Sequence, residues 1–222
     1  MSAAKSAINA QKREGKRGRG PGRTTREDWV EAAFETLVSK GEESVKILNL
    51  ADNLGTTRSS FYWFFKNRNE LLESLLDRWQ ETNTNAIIQT AAAPAESINL
   101  AIVNISRMWI AEQGFDTRLD FAIRDWARRS TAVSRAVEIS DAARIAAIDG
   151  MFQRHGYASD EAEVRARVFY YTQVGYEAMG IKESLDDRFS RAANYMFCLS
   201  GQVPSEQEIQ AILDVRKQLE LG

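Results

Sequence analysis

Thr57-Arg58-Ser59-Ser60 places three hydroxyls and one guanidinium on consecutive positions. Tyr62, Trp63, Lys66 and Arg68 follow closely, and Lys46 lies a short way upstream. These groups donate or accept hydrogen bonds, carry positive charge or stack. None of them is spaced from a general base or a metal ligand in a way that would make or break a bond. The chemistry they offer is recognition. Hydroxyls and a guanidinium suit the polar edges of bases, while cations and a phenol suit phosphate oxygens.

To act together, these groups need a short exposed helix held on a core. Ile47, Leu50, Ala51 and Leu54 recur at helical spacing, and Gly55 can take the left-handed conformation that ends such a helix. Thr56 or Thr57 then supplies an N-cap for the next helix. Two short helices joined by about three residues that include a glycine form a helix-turn-helix, whose second helix enters the major groove by its N-terminal residues. Upstream, Val30, Ala33, Phe34, Leu37 and Val38 form one apolar stripe of a helix from Arg26 to Lys40. Thr25 and Asp28 make a capping box at its start, and Gly41 stops it. Downstream, Asn67 and Glu70 open a long helix with Leu72, Leu75, Leu76 and Trp79 on one face. Phe61 to Phe65 are consecutive aromatics, and a helix cannot turn them all inward. Phe61 and Phe65 read as core, and some of Tyr62, Trp63 and Phe64 as exposed or at an interface.

Residues 25–79 resemble the N-terminal DNA-binding domain of the tetracycline-repressor (TetR) family. The motif Leu50-Ala51-Asp52-Asn53-Leu54-Gly55-Thr56-Thr57 is followed by Tyr62-Trp63-Phe64-Phe65-Lys66-Asn67-Arg68-Asn69-Glu70-Leu71. Spacing and residue type agree across three helices and into a fourth. Three positions depart from the family pattern. Phe64 replaces a histidine. Arg68 replaces a lysine and keeps a phosphate-binding charge. Lys46 stands where a capping threonine is common, and a lysine meets phosphate as a flexible point charge. The resemblance implies base contacts from Thr57, Arg58, Ser59 and Ser60. It implies backbone contacts from Lys46, Tyr62, Trp63, Lys66 and Arg68, joined by Arg23 and Arg26.

The chain has 222 residues, only three prolines and no long alternating polar–apolar run. An all-α protein follows: an N-terminal three-helix helix-turn-helix domain joined by a long helix to a helical ligand-binding and dimerisation domain. The expected divisions are 1–24 for a basic arm, 25–70 for the helix-turn-helix and 71–222 for the body. The apolar runs are far shorter than the roughly 20 residues of a membrane span, and no signal-peptide core lies near Met1. A cytoplasmic protein with no membrane partner is expected. Cys198 is the one cysteine. It lies in the apolar stretch 195–199 and reads as a buried structural thiol.

Net charge is −2, but it is unevenly distributed. Residues 1–26 hold eight cations against Glu14, a net of +7, which leaves −9 on the remainder. A basic arm beside a helix-turn-helix on an acidic body is the layout of a DNA reader. The arm, rich in glycine and arginine, has nothing to bury and should be disordered when free. It is either a solvated tail or a segment that follows phosphates or a minor groove.

The body continues as helices. One runs from Asn69 to Ala92 and ends near Pro94. The next runs from Ile98 towards Gly114, and another is capped by Asp116. Further helices span Thr131–Arg154, Asp160–Gly180, Leu185–Leu199 and Ser205–Leu219. By the resemblance, this body binds an effector and dimerises. The candidate effector residues are Trp79, Asn83, Met108, Phe121, Trp126 and Tyr171, around a small, partly aromatic or lipophilic molecule. Arg107, Arg124, Asp125 and Gln173 are further polar candidates, although Arg124, Asp125 and Arg128 also read as ion pairs. The candidate dimer contacts are Gly175, Ala178, Met179, Phe189, Ala193, Met196 and Phe197, which could equally be core. One reading head covers few base pairs, so a homodimer on a palindromic operator is expected.

No cofactor and no catalytic residues are expected. His155 is the single histidine and, with Cys198, makes no zinc set. No nucleophile elbow, phosphate loop or dinucleotide fingerprint occurs. The expected function is a sequence-specific repressor of transcription released from double-stranded DNA by a small effector. The alternatives are an activator, or a helical DNA-binding module controlled by a protein partner.

Overall fold

The computed structural model describes residues 24–112 and 114–221; the expected basic arm through Arg23 lies outside the described residues. Among the described residues the chain is all helical, in two packed units.

The first unit begins with α1 (Arg26–Lys40), opened by the expected capping box. The Asp28 amide donates to Thr25 Oγ1 at 3.2 Å, and the Thr25 amide donates to Asp28 Oδ2 at 2.9 Å. A 3-10 turn, Glu42–Ser44, leads to α2 (Ile47–Leu54). Gly55 ends α2 at φ 63°, ψ 33°, and lets the Thr56 amide reach the Ala51 carbonyl at 3.0 Å. The second helix of the pair, α3, is only Arg58–Phe61, and looser turns carry it to Phe65. Thr57 occupies its N-cap position without a side-chain cap; its hydroxyl meets the Ser59 hydroxyl at 2.9 Å instead. Asn67 caps α4 (Arg68–Trp79), accepting from the Glu70 amide at 3.0 Å. The expected division after residue 70 therefore falls inside α4.

The long helix expected over Asn69–Ala92 is one rod with an interruption. After α4, residues Gln80–Thr84 form a π-helical turn before α5 (Asn85–Ala92). The wider turn carries two polar side chains inward, Asn83 and Thr84, both buried. Asn83 is held on both sides by the Asp116 backbone, donating to its carbonyl at 2.8 Å and accepting from its amide at 3.1 Å.

The second unit adds α6 (Ile98–Ala111), α7 (Thr117–Ala127), α8 (Thr131–Arg154), α9 (Ser159–Ala178), α10 (Leu185–Ser190), α11 (Ala192–Ser200) and α12 (Glu206–Leu221). The helix expected over Leu185–Leu199 is thus two, divided at Arg191. α8 is central and packs against α5, α7 and α9. On α11, Met196, Leu199 and Ser200 are buried, and Cys198 lies exposed on the other side. That corrects the expectation of a buried thiol: apolar neighbours in sequence are not neighbours on one helix face.

The core crosses the boundary between units. Trp29, Phe34, Phe61, Phe65, Leu75 and Trp79 form one apolar cluster with Leu119, Ile123 and Trp126 of α7. Phe61 packs edge-on to Trp29 at 5.2 Å and stacks on Phe65 at 5.3 Å. α7 therefore sits directly on α1 and α4.

Gly55→Val should cost about 1–2 kcal/mol, because no atom lies within 4 Å of an added Cβ and only the left-handed backbone opposes the change. A shifted urea midpoint with an unchanged denaturant slope is the expected reading.

Candidate nucleic-acid interface and the cavity behind it

The aromatic wedge fixes which side of α3 faces out. With Phe61 and Phe65 fully buried, Thr57, Arg58, Ser59, Tyr62 and Trp63 are exposed and Ser60 is half-buried. Trp63 is 73% exposed. The first turn of α3 carries no acidic residue. Arg58 lies along the same face, donating to the Tyr62 hydroxyl at 3.0 Å with its guanidinium 5.8 Å from that ring. Lys46, at the N-terminus of α2, and Lys66, before α4, are exposed. Neither is in a salt bridge among the described residues. The outward side of α3 is thus a surface of hydroxyls, a guanidinium and aromatic edges. Arg26 is exposed but anchored. It stacks 4.9 Å over Phe65 and donates to Ser74 Oγ at 2.8 Å.

Arg68, an expected phosphate contact, is engaged within the protein. Its Nε donates to the Val45 carbonyl at 2.6 Å and its Nη2 to the Glu42 carbonyl at 2.7 Å, with the Glu42 carboxylate paired alongside. The side chain ties the turn before α2 to the start of α4. A lysine, with one ammonium, could not hold two carbonyls and a carboxylate in this fork.

In the body, a buried charge cluster joins α4, the π turn, α7, α8 and α9. The Asp120 carboxylate accepts from Trp79 Nε1 at 2.7 Å, Arg144 Nη1 at 2.9 Å and Arg124 Nε at 2.8 Å. Arg144 is wholly buried. It donates to Thr84 Oγ1 and to the Tyr170 hydroxyl, and stacks 4.6 Å over Trp79. Arg124 grips Asp141 through two bonds, at 2.9 and 2.7 Å. The Tyr170 hydroxyl donates to Asp141 at 2.6 Å. Burial pushes the Asp120 carboxyl up, but the guanidiniums of Arg144 and Arg124 outweigh it and hold the group below the usual carboxylate range. Burial likewise pulls both arginines down, and their acidic partners raise them further.

Over this cluster opens a cavity of about 390 Å³ between α7, α8 and α9, lined by Phe115, Phe121, Arg124, Tyr170, Gln173 and Glu177 among others. A smaller cavity of about 140 Å³ lies between α6, α9, α11 and α12. Trp109 and Gln173 lie on the walls of both.

Of the expected effector residues, Phe121 lines the larger cavity. Trp79, Asn83, Met108, Trp126 and Tyr171 line neither. Trp79 and Asn83 are engaged by Asp120 and Asp116, Met108 and Trp126 are core, and Tyr171 is on the outer face of α9. Among the further polar candidates, Arg124, Asp125 and Gln173 do line it. Asp120, Arg144 and Glu177 were not singled out by sequence. A charged residue in a helix is ordinarily solvated, and nothing local marks these three as inward. Of the expected dimer contacts, Met196 is buried within the chain and Phe189 packs in its cluster. Ala178 lies on the cavity wall, and Gly175 and Ala193 are half-buried. Met179 and Phe197 are exposed.

Residues 30–75 match the family model described as bacterial regulatory proteins, tetR family. Over 59 residues the chain is 36% identical to the HTH-type transcriptional regulator TtgR of Pseudomonas putida, and to the same extent to the probable HTH-type transcriptional regulator ArpR, also of Pseudomonas putida. That stretch is 27% of this chain and spans only 28% of the length of these curated relatives. Among solved structures, Salmonella enterica GusR is similar at a TM-score of 0.60 and 18% identity, over 80% of this chain and 94% of that one. Mycobacterium smegmatis AmtR is similar at a TM-score of 0.56 and 15% identity, over 88% and 96%. At these identities the likeness is one of fold, and it extends through the helical body.

Arg68→Ala should lower stability and leave the salt slope of DNA binding unchanged, which a denaturation curve and a salt titration read separately. Arg144→Met removes one partner of a buried carboxylate and should cost about 3–5 kcal/mol at neutral pH. The Asp120 carboxyl titrates lower in the folded chain, so its contribution is complete above the unfolded value of about 3.9 and is lost as pH falls below it. The gap between wild type and R144M should therefore narrow in acid, as followed by urea melts at a series of pH values.

Proposed function

We propose that this chain, of the tetR family by its N-terminal unit, is a sequence-specific DNA-binding regulator of transcription. In this reading it is a dimeric, cytoplasmic, non-enzymatic repressor that a small effector releases from a palindromic operator. The observation that carries the reading is the exposed first turn of α3, with Thr57, Arg58 and Ser59 set outward on a rigid aromatic core. Thr57, Arg58, Ser59 and Ser60 meet base edges, and Tyr62, Trp63, Lys46 and Lys66 meet the backbone. Double-stranded DNA is the partner.

Dimerisation is supported by an apolar stripe on the surface. Val164, Val168, Tyr171 and Met179 are exposed along α9 and its C-terminal end, and Tyr195 and Phe197 are exposed on the adjoining α11. Two heads held about 34–36 Å apart would read a two-fold site. Effector release is supported by the continuity of the core. α7 lines the cavity on one side and packs on α1 and α4 on the other. A ligand that prefers one position of α7 shifts the heads with it; equal affinity for both positions would shift nothing.

The test is a salt-dependent titration of the full chain against DNA from its own gene neighbourhood, with random DNA as competitor. A saturable complex of two protomers per site is expected, and equal affinity for both DNAs would overturn the reading. Arg58→Ala should cost about 1–3 kcal/mol and relax specificity at one position, whereas Lys66→Ala should weaken all sequences alike and lower the salt slope by about one.

A further inference from the structure

Three carboxylates, of Asp120, Asp125 and Glu177, and three guanidiniums, of Arg124, Arg128 and Arg144, line the larger cavity. Asp120 is matched by Arg144 and Arg124, Arg124 also by Asp141, and Asp125 by Arg129. Arg128 lies at the exposed rim. Glu177 is the lining carboxylate left without an ion pair among the described residues. It is half-buried and accepts one hydrogen bond, from Gln173 Nε2 at 3.0 Å. Burial pushes its carboxyl up, and Arg188 opposes this without cancelling it. A half-buried carboxylate in this position is stabilised by a cation brought from outside.

The buried part of the wall serves an anionic ligand poorly, since Arg128 lies at the exposed rim. Arg124 and Arg144 each already make four hydrogen bonds inside the cluster. A guanidinium has five N–H groups, so each has a single donor left. The rest of the lining is aromatic: Trp109, Phe115, Phe121 and Tyr170.

We propose that this cavity binds an organic cation with an aromatic body, its ammonium set against Glu177 and the aromatic faces. This deepens the reading of the chain as an effector-responsive regulator and rests on it for the biological role of the site. Cation–π attraction to the ring faces adds to the carboxylate pairing. The cavity volume is at the small end of the range of about 300–1,000 Å³ for ligand sites, which suits a molecule with one ring and a short cationic arm.

Benzoylcholine carries an aromatic ring, a carbonyl acceptor and a quaternary ammonium, and is the probe. Its neutral tert-butyl analogue and the anion hippurate are the controls. Calorimetric titration of the full chain should show saturable benzoylcholine binding, with both controls at least about tenfold weaker. Glu177→Gln should weaken benzoylcholine about tenfold, between the effects of an exposed and a fully buried charge pair, and leave operator affinity without ligand unchanged. Phe121→Ala, at an exposed position of the rim, should weaken it as well and gives a second variant that keeps the fold. The proposal is overturned if benzoylcholine does not bind, if a control binds as tightly, or if E177Q binds it like wild type. Operator binding is scored separately. Its loss with benzoylcholine binding intact would sink the regulator reading and leave the cavity assignment standing.

Discussion

Asp120 is the group on which the arrangement of the body depends. A carboxylate so deeply buried is tolerated only when its charge is matched and its lone pairs are filled, and here two partners come from other helices, Trp79 at the end of α4 and Arg144 on α8, and a third, Arg124, lies one turn along α7 itself. Arg144 in turn needs acceptors. The π turn supplies one by rotating Thr84 inward, and α9 supplies another in Tyr170. Each partner fixes the position of a helix. The packing of α4, α7, α8 and α9, and so the cavity between the last three, follows from satisfying one small set of buried charges.

The same carboxylate touches both units. Trp79 is the last residue of the helix that supports the reading head, and its ring lies in the apolar cluster with Phe61, Phe65 and Trp29. Asp120 holds its indole nitrogen. Leu119, Ile123 and Trp126 on the same helix as Asp120 pack into that cluster too. The head is therefore not a bead on a flexible linker. α7 meets the N-terminal unit through tightly packed side chains, and dense packing transmits displacement.

Charge on the head divides into two kinds. Arg68 and Arg26 are bound to the protein itself, by carbonyls and a carboxylate in one case and by a ring and a hydroxyl in the other. Among the described residues, Lys46, Lys66 and Arg58 form no salt bridge, and all three are exposed. The first kind shapes the surface and the second kind gives it a field. Their separation explains how a domain on an acidic body can still present exposed cations.

Features that depend on a few neighbouring residues could be read from the chain alone. The capping box at Thr25, the caps at Asn67 and Asp116, the left-handed stop at Gly55 and the inward Phe61 and Phe65 were all legible, because capping and helical periodicity act within about four positions. So was the helix-turn-helix and the side of it that faces out. The roles of Arg68, Trp79, Asn83, Arg144 and Cys198 emerged only once the helices were packed. For Arg68, Trp79 and Arg144 the partners are remote: Arg68 reaches back 23 residues to Val45, Trp79 forward 41 to Asp120, and Arg144 back 60 to Thr84. A side chain's chemistry says what it can bond. Which of those bonds it makes is set by the partners that folding brings within about 3 Å of it.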